Sequence, residues 1–185
     1  MKNKALRHLV LSGMFLAIGF VLPFLTGQLQ QIGNMLLPMH IPVLLCGLIC
    51  GWRYGLAVGF ILPLARSLIF GMPMLYPSAV AMAFELATYG FVVGFLFAHA
   101  RWQCIVSLYR CLILAMLAGR AVWGVLQTLL LGFGSNSFTF AAFLSGAFLN
   151  AIPGIILQLI LIPAIMLALD RTHLIPFRKA NKQTV

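Results

Sequence analysis

The chain has 185 residues, of which 63% are hydrophobic and 8% charged, and its mean hydropathy is +1.08. A soluble domain is about half apolar and roughly a quarter charged, and no folded body of this size can hide so much apolar surface from water; an ordinary soluble domain is excluded and a bilayer is implied. Twelve Lys and Arg against two Asp and Glu give a net charge of +10, and no basic cluster lies on a polar, aromatic-interleaved element, which argues against a nucleic-acid partner.

A spanning helix needs about 20 apolar residues. The first candidate is 5–25, closed by Pro23 and a Thr26-Gly27-Gln28 turn; with no small-residue cleavage site and five more apolar segments behind it, it reads as a retained helix. Residues 27–37 form an uncharged loop with Gln28, Gln30, Gln31 and Asn34. The second span, 38–51, is short, and Pro42 and Gly47 suggest an irregular start. A Trp52-Arg53-Tyr54 break leads to the third span, 55–70, with Pro63 and Arg66 inside. After a loop at 71–77 comes the fourth, 78–98, carrying Glu85. A polar break at 99–109 precedes the fifth, 110–132, with Arg120, Trp123 and Gln127. A Gly/Ser/Asn turn leads to the sixth, 138–169, with Asn150, Pro153 and Pro163. The expectation is an all-α, six-helix membrane domain over 1–170 and a basic tail over 171–185.

Six spans place both termini on one face. That face then holds the N-terminal bases, Arg53, Arg101, Arg110 and the C-terminal bases, while the opposite loops hold no Lys or Arg. The positive-inside rule makes it cytoplasmic.

Arg66, Glu85 and Arg120 remain inside apolar runs. A charge at mid-bilayer costs several kcal/mol, so it faces protein or water and marks function. Counted from the outer end of its own span at 1.5 Å per residue, Arg66 lies about 6–7 Å deep, Glu85 about 10 Å, and Arg120 and Asn150 about 18 Å. Polar groups thus gather in the outer half. The plain reading is a structural Arg–Glu pair. Two cations share one anion, however. Arg66 lies shallow enough to snorkel; Arg120 does not, and an anionic ligand is one solution for it. His40 opens the second span as a cap or a ligand contact, and Trp123, one turn from Arg120, is a candidate lining residue.

Small residues four apart, Gly13/Ala17, Gly47/Gly51, Gly55/Gly59 and Gly90/Gly94, permit close helix approach. Most serve internal packing; Gly13/Ala17 is the candidate face for a partner subunit. Cys46, Cys50, Cys104 and Cys111 lack zinc spacing and read as packing residues. No metal or other cofactor is expected. No Lys lies between Lys4 and Lys179, so a Walker-type GxxxxGK[ST] is absent there. One embedded carboxylate leaves no acid–base pair, so an enzyme is not expected; a lipid- or isoprenoid-modifying membrane enzyme is the weaker alternative.

The stretch Leu37-Pro38-Met39-His40-Ile41-Pro42-Val43 with Cys46-Gly47 and Gly51, and the stretches Gly71-Met72-Pro73 and Met82-Ala83-Phe84-Glu85-Leu86-Ala87-Thr88-Tyr89-Gly90, resemble the substrate-binding S components of energy-coupling factor (ECF) vitamin transporters. The resemblance covers nearly the whole chain. It implies a vitamin pocket in the outer half, capped by the loop between the first two helices. It also implies docking onto a transmembrane scaffold subunit with two cytoplasmic ATPases, in a bacterial plasma membrane. The family's Ala-x-x-x-Ala docking motif is matched here by Gly13-x-x-x-Ala17. The candidate substrate-binding residues are Asn34, His40, Arg66, Glu85, Arg120, Trp123, Gln127 and Asn150. The embedded net +1 favours an anionic vitamin such as pantothenate, folate or nicotinate, pantothenate first, with riboflavin, pyridoxine-like and cobalamin substrates left open.

Overall fold

The computed structural model describes residues 2–25, 38–100, 103–132 and 152–172; all are helix, turn or connection, with no strand among them. In a bilayer no water satisfies the backbone, so each apolar run closes its hydrogen bonds within itself. Among the described residues there are six α-helices: α1 (Lys2–Leu25), α2 (His40–Cys50), α3 (Trp52–Phe70), α4 (Val80–His99), α5 (Ile105–Gly132) and α6 (Ile152–Arg171). All but α2 are long and apolar enough to cross a membrane, while α2 has 11 residues.

The helix ends differ from the sequence expectation where polar residues tempt an early stop. Helix α3 begins at Trp52 and α5 at Ile105, so Arg53 and Arg110 sit inside helices, where exposed side chains reach out past the apolar surface. Helix α2 begins cleanly at His40. Pro42 falls in its first turn, where a backbone N–H has no intrahelical partner to lose. The α2–α3 connection is the single residue Gly51, at φ 95°, and Gly71 ends α3 at φ 70° with its N–H on the Ser67 carbonyl at 2.9 Å. Both are conformations that only glycine adopts without strain. A π-type turn, Leu75–Ala79, leads into α4. The expected loops at 27–37 and 133–137, the first part of the sixth span and most of the tail lie outside the described residues.

Helix α4 is the hub, packing on α2, α3 and α5; α1 lies on α2 and α3, and α6 on α5 and α2. Glycine makes the α2–α3–α4 seam. A Cβ on Gly47 would lie 2.6 Å from the Gly90 carbonyl oxygen, one on Gly55 2.6 Å from the Gly47 Cα, and one on Gly90 would clash with the Gly55 carbonyl. The three backbones therefore touch, the arrangement small-xxx-small spacing permits. Helix α1 turns Ser12, Phe15 and Gly19 inward, Gly19 against Leu62, and leaves Gly13 and Ala17 exposed. It runs in the same direction as α3. His8 stacks edge-on with Tyr54 at one end, and Phe24 with Phe70 at the other.

Candidate functional site: a buried charge cluster

Helix α4 carries Glu85 and Tyr89 one turn apart on its inward face, and both are 2% exposed. Their spacing puts them on one stripe. The Tyr89 hydroxyl donates to Glu85 Oε1 at 3.2 Å. The same oxygen faces Arg120 Nη1 of α5 at 3.2 Å and His40 Nε2 of α2 at 3.6 Å. The His40 ring meets the Tyr89 ring edge-on at 5.1 Å. Three helices thus converge on one carboxylate oxygen. Gly119, next to Arg120, makes room for this: a Cβ there would sit 2.8 Å from Tyr89 Cε1.

A carboxylate in a low-dielectric interior is held by a cation and by hydrogen bonds that satisfy its remaining lone pairs. Glu85 has both. Arg120 is not similarly saturated. It is 5% exposed, and its Nε and Nη2 have no hydrogen-bond partner among the described residues. Each unsatisfied buried donor costs about 1–3 kcal/mol. Nε and Nη2 form the side-on edge of a guanidinium, the edge that takes a carboxylate through two parallel bonds. The cluster therefore offers two donors in a fixed fork, their cation already anchored from the other side.

The structure brings Glu85, Arg120 and His40 together and adds Tyr89, which the sequence reading did not single out; its position one turn after Glu85 was the available signal. Arg66 is elsewhere. Its Nη1 donates to the Phe20 carbonyl of α1 at 3.3 Å, and its guanidinium lies 5.6 Å from the Phe24 ring centre and 5.8 Å from that of Phe70. Trp123 and Gln127 are half-buried farther along α5, with Gln127 Oε1 buried and unpartnered among the described residues. Asn34 and Asn150 lie outside the described residues. Gln158 of α6 was missed. It is fully buried, and its Nε2 has no partner among the described residues. It is the one amide between Asn150 and Asp170, and that isolation in an apolar run was the signal.

Depths counted from separate helix ends had put Glu85 and Arg120 about 8 Å apart in height. The structure supplies a common level: the Tyr76 hydroxyl donates to the Leu130 carbonyl at 2.7 Å. From that tie Glu85 is nine residues along and Arg120 ten, and the two meet at one level. The error arose because α5 has 28 residues, about 42 Å, and overruns a hydrocarbon core of about 30 Å.

Among the described residues no three His, Cys, Asp or Glu side chains stand together to hold a metal. Cys46, Cys50 and Cys111 are buried free thiols, and Cys104 is exposed. A family model described as "ECF transporter, substrate-specific component" matches residues 7–166. No match is found among curated proteins or solved structures.

Proposed function

The chain belongs to the ECF transporter substrate-specific component family, whose members are substrate-binding subunits of transporters, and from that premise we propose that it captures an anionic vitamin on the free edge of Arg120. The observation that carries this reading is the fork itself: a buried guanidinium with Nη1 on Glu85 and with Nε and Nη2 unpartnered among the described residues. A carboxylate satisfies both donors at once. Pantothenate is the first candidate. His40, Tyr89 and Glu85 orient the guanidinium; Trp123, Gln127, Asn34 and Asn150 complete the proposed site around it. Arg66 belongs to this reading only as outer-half positive charge that favours entry of an acid.

The protein is proposed to sit in a bacterial plasma membrane as a six-span domain over residues 1–170, with both termini and the 171–185 tail cytoplasmic. It passes substrate inward with a scaffold subunit and two ATPases. The exposed Gly13/Ala17 face, where a Cβ on Gly13 would meet nothing within 4 Å, supports docking there.

Thermal unfolding of the purified protein against a vitamin panel tests the capture. A ligand that binds only the folded state raises stability by about 2.7 kcal/mol at 100 times its Kd. Pantothenate is expected to stabilise the wild type and to have no effect on Arg120→Ala. Equal protection by the acid and its carboxamide would instead favour a neutral pair of acceptors on the fork, a reading that Glu85's prior neutralisation of Arg120 supports. For docking, Gly13→Leu combined with Ala17→Leu should abolish co-purification with the scaffold subunit without lowering the unliganded melting temperature. Undiminished co-purification would move the interface off this face.

A further inference from the structure

Two buried side chains with atoms unpartnered among the described residues stand on one face of α5. Arg120 presents donors at Nε and Nη2, and Gln127 presents an acceptor at Oε1. Seven residues separate them, which is 20° short of two full turns and about 10 Å along the axis. Both side chains therefore point the same way, and the residues between them on that stripe are Trp123, half-buried, and Gly124, buried. The stripe reads donor pair, indole and glycine, acceptor.

Polar atoms of opposite hydrogen-bonding sense, spaced along one helix face, define a ligand by its complement. We propose that the site selects an extended acid whose carboxylate lies on Arg120 and whose hydroxyl or N–H donor, about 10 Å away, bonds Gln127 Oε1. The body of the ligand crosses α5 between these two points, beside Trp123 and Gly124. Small acids that reach only the guanidinium leave the Gln127 oxygen unsatisfied and are rejected. Sites built to hydrogen-bond a group discriminate strongly against analogues that lack it. The inference rests on the acid reading of Arg120 and adds length and a far donor to it.

The probes are pantothenate, an acid with hydroxyls at its far end, and N-acetyl-β-alanine, which keeps the same carboxylate and amide but lacks those hydroxyls. Binding is measured by titration calorimetry in detergent. The wild type should bind pantothenate at least about tenfold more tightly, the worth of one well-made hydrogen bond. Gln127→Met should abolish that preference by weakening pantothenate alone. Gln127→Asn, which withdraws the acceptor by one methylene, serves as the second variant should the first not fold, with the same loss expected. Gly124→Leu should weaken pantothenate more than N-acetyl-β-alanine. Equal wild-type affinities for the two probes, or full pantothenate affinity in a folded Gln127 variant, would overturn the two-point site and leave the acid reading intact. Binding of neither probe would overturn both.

Discussion

Arg66 and Arg120 are each 5% exposed and each interrupts an apolar helix, yet the fold accommodates them differently. Arg120 meets a full negative charge, Glu85, at 3.2 Å. Arg66 meets a backbone carbonyl and two aromatic faces at the seam of α1 and α3. A carbonyl dipole and ring quadrupoles offset part of a cation's desolvation without adding a second charge. They suffice near the end of a helix, where Arg66 stands four residues before Phe70 ends α3. Ten residues below the Tyr76 tie they would not, and the one embedded carboxylate is used there. The surplus positive charge is thus located: it is Arg66, and it lies at the α1 seam.

The largest test of that difference is removal of the carboxylate. Glu85→Gln leaves Arg120 buried with a neutral neighbour, a change that costs about 3–5 kcal/mol in buried ion pairs. The double variant Glu85→Gln with Arg120→Met removes both charges and should be more stable than Glu85→Gln alone. Melting temperatures of the wild type, the two single variants and the double variant form the cycle. Additive losses would show that the pair is not an energetic unit. The same double variant should bind no acid, which separates stability from capture.

The helices were legible in the sequence because apolar run length in a bilayer leaves few alternatives. The ends were less so. Arg53 reads as a break because a charge interrupts the apolar run, yet its long side chain reaches past the apolar surface from within the helix. Glycine spacing gave four equivalent small-residue pairs, and only packing distinguishes them: Gly47, Gly55 and Gly90 touch neighbouring backbone, while Gly13 faces outward. For the cluster, the embedded charges could be identified, but their partners could not. Which arginine takes Glu85 depends on α4 lying against α5 and on a common height set by Tyr76 and Leu130. No count from a single helix end contains that. Tyr89 and Gln158 escaped for a related reason, since a hydroxyl or an amide in an apolar run gains meaning only when a neighbour leaves a charge or a lone pair to satisfy.

The smaller test is on the other arginine. Arg66→Met keeps most of the aliphatic stem packed against Phe24 and Phe70 and removes the charge. The loss should be about 1–2 kcal/mol, the scale of a desolvated cation–π contact. It should also be nearly additive with Glu85→Gln, since the two sites share no partner among the described residues and lie on different helix seams. Arg66→Lys should recover little, because a compact ammonium cannot cover both rings while also bonding the Phe20 carbonyl. Affinity for an acidic ligand at low salt should fall modestly in Arg66→Met and by the same amount as salt screens the wild type. A loss as deep as that of Arg120→Ala, persisting at high salt, would mean that Arg66 touches the ligand, and the two arginines would then be one site rather than two solutions to the same burial.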